Sequence, residues 1–289
     1  MRTGKAWMLV PAVCAILLMT TVAAEAPTLN FKFTTVRVKG ALTTAGGGIN
    51  NSGVMVGNYQ DQPGTPRGFM LDGKKLTRID YPKAAQTICN QINSAGAVVG
   101  SYTSEKGVTQ GFLYAKGKFT TIVGPAKATG ASANGINDAG DVVGSYYTSG
   151  GKVHGFLLKS GKYKTMDVPG GLATVATGIN NKGHMVLYWL DQQQNTESSL
   201  YNGKSYKTID VPDALDTNAM DLNNSDDVVF QWFDSLTHPH GALLRGGKYS
   251  TIDHPNSMGT YGTGINDKNI VTGYFVPTNN YEGGFTASY

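Results

Sequence analysis

The residues of this 289-residue sequence best suited to chemistry fall into a few small groups. Trp189 stands beside Asp191-Gln192-Gln193-Gln194-Asn195, and Trp232 beside Asp234-Ser235-Leu236-Thr237-His238. Aromatic rings next to amides and carboxylates suit a carbohydrate or a peptide. Trp189, Asp191, Gln192, Trp232, Asp234 and His238 are therefore the candidate ligand-binding set. The competing reading is drift within a redundant array, with both Trp side chains buried in packing. His238-Pro239-His240 sets two imidazoles close together, as a transition-metal site does, but no third ligand is evident. Asn137-Asp138-Ala139-Gly140-Asp141 has some features of a calcium loop. Calcium takes about six to eight oxygens, and the alternating acids that would supply them are missing. A plain turn explains the same residues, because Asn and Gly tolerate positive φ.

Nothing in the sequence designates a catalytic residue. Four Glu (Glu25, Glu105, Glu197, Glu282) and four Arg (Arg37, Arg67, Arg78, Arg245) are scattered beyond the N-terminal segment. No nucleophile elbow, phosphate loop or zinc-helix motif stands out. No cofactor is expected, calcium at the turns being the one candidate.

The N-terminal 24 residues have a different character. Arg2 and Lys5 precede an apolar stretch from Trp7 to Met19, and Val22-Ala23-Ala24 follows. This is the pattern of a secretory signal peptide, with an apolar run too short for a comfortable membrane span. The expected mature chain, from residue 25, is extracytoplasmic and not inserted in a membrane. It keeps 22 basic and 20 acidic residues without a basic stripe, which argues against nucleic acid as a partner. One cysteine, Cys89, remains in it. Other copies of the repeat have Gly or Ala there, so Cys89 reads as a small buried hydrophobe.

The elements that must position these residues come from an internal repeat. Asn50, Asn93, Asn137, Asn180, Asn223 and Asn266 recur every 43 or 44 residues. Each unit reads as four short strands separated by turn signals. In the third unit these are a small, polar strand ending at Asn137, then VVGSYY (142–147), HGFLL (154–158) and a fourth strand running to Val168-Pro169. Equivalent residues align in columns. One is aromatic (Tyr59, Tyr102, Tyr146, Trp189, Trp232, Phe275). Another is Phe69, Phe112, Phe156, Ser199, Ala242, Phe285. Asp80, Asp167, Asp210 and Asp253 share a third, and an Asp there is expected to bond amides in the turn before Pro. Units four and five depart from the pattern at Leu187 and Phe230, where the others have Gly, and at Ser199 and Ala242.

The second strand is apolar on both faces and must be buried on both, which the stacked blades of a propeller provide. The sixth unit lacks its fourth strand, while Phe33–Val38 matches that strand at the other end of the chain. The fold expected is an all-β, six-bladed propeller, residues 25–289 forming one domain. Its ring is closed by the N-terminal strand, with the small first strand of each blade innermost. Closure removes the exposed edges that an open array would leave, and a monomer is expected.

The motif Gly135-Ile136-Asn137 through Gly155-Phe156-Leu157 to Pro169 resembles the HAF family of extracellular repeats across nearly the whole mature chain. The resemblance implies a secreted bacterial protein and carries no catalytic residues. The function expected is a non-enzymatic binding module for an extracellular glycan or protein. A propeller hydrolase or lyase acting on a polysaccharide or lactone is one alternative, and a structural surface or matrix component is another.

Overall fold

A computed structural model of the chain describes residues 29–255, 257–278 and 282–289; the expected leader lies outside them. The described residues form six four-stranded antiparallel sheets and no helix. Blades 1 to 5 occupy residues 43–79, 84–122, 130–165, 173–208 and 216–252, with their strands in sequence order from the axis outward. Blade 6 takes three strands from residues 257–288 and its outermost from Lys32–Val36. That N-terminal strand pairs antiparallel with Gly283–Ser288, from Lys32 opposite Ser288 to Val36 opposite Gly284. The innermost strands of successive blades adjoin around the axis, and that of blade 6 returns to that of blade 1. The protein is a six-bladed β-propeller closed by strand exchange between its termini.

The core lies in the seams between blades. Val99 and Ile122 of blade 2 pack against Ala133, Val142 and Phe156 of blade 3. Val186 and Ile209 of blade 4 meet Ala219, Val228 and Phe230 of blade 5 in the same way. Each second strand thus has apolar neighbours on both sides, which accounts for its two-faced apolar sequence. Cys89 sits in the seam between blades 1 and 2, where burial pushes its thiol pKa up.

The departures in blades 4 and 5 have a packing explanation. Gly57, Gly100, Gly144 and Gly273 each lie opposite a Phe on the neighbouring strand. A Cβ on any of them would come within 3 Å of that ring. In blades 4 and 5 the sizes are exchanged across the same pair, Leu187 opposite Ser199 and Phe230 opposite Ala242. All four are buried. One large side chain fills the space from either strand, and such volume-conserving exchanges keep a core intact.

Every inner strand carries a bulge just before its Asn, as between Ala133 and Gly135 or Ala219 and Asp221. A bulge re-aims the extra residue's side chain. Here Asn90, Asn134 and Thr177 each reach the main chain of the following blade, bonding to the carbonyls of Ala133, Ala176 and Ala219 at 2.7–2.9 Å.

Candidate functional site

The two ends of the axis are built differently. At the end where the first strands turn into the second, the six repeated Asn side chains are buried and bonded. Asn50, Asn93, Asn137, Asn180 and Asn266 each donate to the main-chain carbonyl of the next blade's Asn, at 3.0–3.3 Å. Asn223 turns instead to Asp227. In five of the six turns the Asn oxygen accepts two amides, as from Ser52 and Val54 onto Asn50. The column is a belt around the axis, and its oxygens are committed to turn amides rather than held for a calcium ion. A second belt lies just outside it. There Ser94 donates through its N–H and hydroxyl to Asp138, and Asn224 through its N–H and amide to Asp267. Burial works against ionisation of Asp138 and Asp267. Even so, the donated hydrogen bonds hold both carboxyls below the ordinary carboxylate range.

Deeper in, the residue two before each Asn is Gly in four blades, Gln91 in blade 2 and Asp221 in blade 5. These two stand across the axis from one another, and Gln91 Nε2 donates to Asp221 Oδ2 at 2.5 Å. The same oxygen accepts the Ile265 N–H of blade 6 at 3.0 Å. Burial pushes the Asp221 carboxyl up to about 7, against the lowering effect of those donors. The pair divides the axis into a small recess of about 60 Å³ among the Asn belts and a larger cup of about 340 Å³ beyond.

Among the described residues, only uncharged ones line the cup. Tyr188 of blade 4, Gln231 of blade 5, Tyr274 of blade 6 and Asn58 of blade 1 hold its wide side, at a position where blades 2 and 3 have Ser101 and Ser145. Tyr274 is stacked on Tyr261, with centroids 4.5 Å apart and planes 9° from parallel. Among the described residues nothing hydrogen-bonds the Asn58 amide or the hydroxyls of Tyr188 and Tyr274. The aromatic column conspicuous in the sequence is the neighbouring position, and this one is not part of it. Its signal is a change from Ser to Tyr or Gln one residue earlier, on the opposite face of the strand.

The cup lies toward the end of the ring that carries the loops between second and third strands, and the sequence-derived residues occupy the outer rim of that same end. They do not line the cup. Trp189 and Trp232 are half-buried, with the indole N–H of Trp189 on Ser199 Oγ and that of Trp232 on Gly241 O, at 3.1 and 3.3 Å. Asp191 accepts the N–H groups of Gln193 and Asn195 and so shapes its own loop, while Gln192 reaches Gly170 O at 2.7 Å. Asp234 does for blade 5 what Asp191 does for blade 4, accepting Leu236 and His238 amides. The hydrogen bond from the His238 N–H leads the effects that hold its carboxyl pKa down. His238 Nδ1 is 3.1 Å from Asp234. His240 is stacked on Trp232 at 4.5 Å and pairs with Asp253 at 3.0 Å. The structure therefore joins Trp232, Asp234 and His238 through His240, which lies 3.7 Å from Asp234, and keeps the blade 4 set on its own blade.

Among the described residues the Asp column does not bond the turn before Pro. Asp167 instead takes Gly155 N and His154, and Asp210 takes Ser198 N, each at the start of the third strand beside it. A fourth-strand carboxylate is closer to its hydrogen-bonded neighbour strand than to the departing turn. In blade 4 the third-strand partner is Glu197. Its hydrogen bond to Asp210 leads the effects that raise its pKa to about 7, followed by burial and the charges of Asp210 and Asp191. Among the described residues no three His, Cys, Asp or Glu side chains converge as a metal site.

The loops also differ in backbone. Gly64, Gly107 and Gly151 occupy a left-handed position in the loops of blades 1 to 3, whereas blades 4 and 5 hold Gln194 at φ 68° and Thr237 at φ 65° there. A β-branched residue in that region is strained.

No protein-family model and no curated protein matches the chain. Among solved structures it is similar to AofleA from Arthrobotrys oligospora, with 13% identity over 90% of this chain and 87% of that one and a TM-score of 0.58. It is similar to SapL1 lectin in complex with alpha methyl fucoside, at 12% identity, 86% and 94% coverage and a TM-score of 0.57. It is also similar to the virginiamycin B lyase of Staphylococcus aureus with quinupristin, at 10% identity, 90% and 100% coverage and a TM-score of 0.51. Identities this low establish a shared propeller fold and nothing finer.

Proposed function

We propose that the protein is a secreted, non-enzymatic propeller that binds a glycan or a protein on the loop-bearing end of the ring, with Trp189, Asp191, Gln192, Trp232, Asp234 and His238 on the reading rim. The observation that carries this reading is the left-handed backbone of the two loops beside the Trp residues, strained at the β-branched Thr237. Gln194 and Thr237 keep a left-handed backbone that their counterparts meet with Gly. Strain of this kind gathers where a surface is shaped for a ligand. The leader-like segment and the likeness of the repeat to HAF proteins support an extracytoplasmic location. The fucoside complex of a lectin with the same fold supports a carbohydrate.

A glycan array probed with the mature chain and with Trp189→Ala and Trp232→Ala variants tests this. Binding that falls at least about tenfold in one variant is the expected result, and unchanged binding in both excludes the rim. A hydrolase or lyase reading draws on the Glu197–Asp210 pair beside Trp189, one of whose carboxyls holds a proton near neutrality. Release of reducing ends from a polysaccharide, lost in Glu197→Gln, would select that reading instead.

A further inference from the structure

We infer that the axial cup is a binding site for a neutral glycoside, with the sugar ring inside the cup and an apolar aglycone across Leu172, Leu215 and Met258 at its rim. This rests on the recognition reading above and gives it a pocket and a ligand class.

The volume and lining of the cup select the sugar. Its volume of about 340 Å³ falls within the range of small-molecule sites, roughly 300–1,000 Å³. The Gln91–Asp221 hydrogen bond crosses the axis between the cup and the recess among the Asn belts, and neither residue lines the cup. The cup wall presents amides, hydroxyls and tyrosine rings with no charged side chain, and the Asn58, Tyr188 and Tyr274 polar groups have no partner among the described residues. Polar groups left open to a pocket gain by meeting a hydroxylated ligand of matching geometry. Flat aromatic faces suit the C–H faces of a sugar ring. An ionic ligand would find no counter-charge among the described residues of the lining.

The aglycone follows from the rim. All but Leu76 of the large apolar side chains that stand exposed among the described residues lie at the loop-bearing end. Leu172, Leu215 and Met258 occupy one repeat position, where the innermost strands of the adjacent blades 4, 5 and 6 begin, and are 40%, 56% and 56% exposed. Blades 2 and 3 carry Ala85 and Thr129 there. The apolar arc thus covers blades that also supply Tyr188, Gln231 and Tyr274. Exposed apolar side chains gathered beside a polar pocket mark a surface that is covered in use.

Calorimetric titration of the mature chain with methyl and octyl glycosides of glucose, galactose, mannose and fucose, all below micellar concentration, tests the inference. At least one octyl glycoside should bind, about tenfold or more tighter than its methyl counterpart. Tyr188→Phe, which removes only a hydroxyl, should weaken binding by about tenfold. Val175→Trp, which fills the cup without removing a hydrogen bond, should abolish it. Leu215→Ser combined with Met258→Ser should cancel the octyl preference and leave methyl glycoside binding in place. Thermal melts confirm that each variant is folded. Binding unchanged in both Tyr188→Phe and Val175→Trp overturns the cup, as does the absence of any glycoside binding while the glycan array still gives Trp-dependent signals; in either case the recognition reading stands. A wild-type chain that retains no glycan and no protein overturns both.

Discussion

Blades 3 and 5 follow one plan with different residues, and the differences sort into two kinds. Where blade 3 pairs Gly144 with Phe156, blade 5 pairs Phe230 with Ala242, and the seam is filled either way. Where blade 3 pairs His154 with Asp167, blade 5 repeats the pair as His240 with Asp253. These are interchangeable solutions to one packing or bonding problem. Thr237 in place of Gly151 and Asp221 in place of Gly135 are different. The first introduces strain and the second a buried carboxyl, neither of which the fold itself requires. In a repeat protein, a departure compensated in its own blade is neutral drift. One without compensation is where a ligand or another constraint has to be sought.

The largest test of that distinction is the size exchange. Phe230→Gly should cost about 3–5 kcal/mol in urea unfolding, from lost burial and the cavity left behind. Adding Ala242→Phe should recover at least half of it, because the pair then has the arrangement of blade 3. A double mutant no more stable than Phe230→Gly would show that the blades are not interchangeable at this pair.

Asp221 should give a smaller, pH-dependent effect. Its carboxyl is raised in the folded chain to about 7 from an ordinary value near 3.8. The native state therefore keeps a proton that the unfolded state gives up between those values. The stability this contributes is fully present below the unfolded value and is lost as pH rises through about 7. Wild type should lose a few kcal/mol relative to Asp221→Asn over that span and run parallel to it above. A difference that does not vary with pH would place the ionised form in the native axis.

The smallest effect belongs to the loop. Thr237→Gly should raise stability by about 1 kcal/mol by relieving the left-handed threonine. The reciprocal Gly151→Thr should lower it by a similar amount in thermal unfolding. If Thr237→Gly is neutral, the loop of blade 5 is not strained and loses its claim to special status.

Much of this molecule was legible in the chain because a repeat supplies its own comparison. The 43-residue period, the small first strand and the missing fourth strand of the last unit determined six blades and their closure. Aromatic and Phe columns located the seams, since a strand apolar on both faces has to be buried on both. The sequence also showed where blades 4 and 5 depart. It did not show that Leu187 answers Ser199, or Phe230 answers Ala242, because that depends on cross-strand register. The bulges went unread as well, and with them the direction in which Asn90, Asn134 and Thr177 point.

The site was the least legible part. Columns mark residues that repeat, whereas the cup is made by residues that do not, on the face of the second strand opposite the conspicuous aromatics. Gln91 and Asp221 are 130 positions apart and belong to non-adjacent blades. Only the curvature that brings six blades around one axis places them within a hydrogen bond. The sequence by itself determined the blade and the number of blades, because those follow from local pattern repeated along the chain. The tertiary structure alone decided what faces the axis, because closing the ring makes neighbours of side chains that share no local signal.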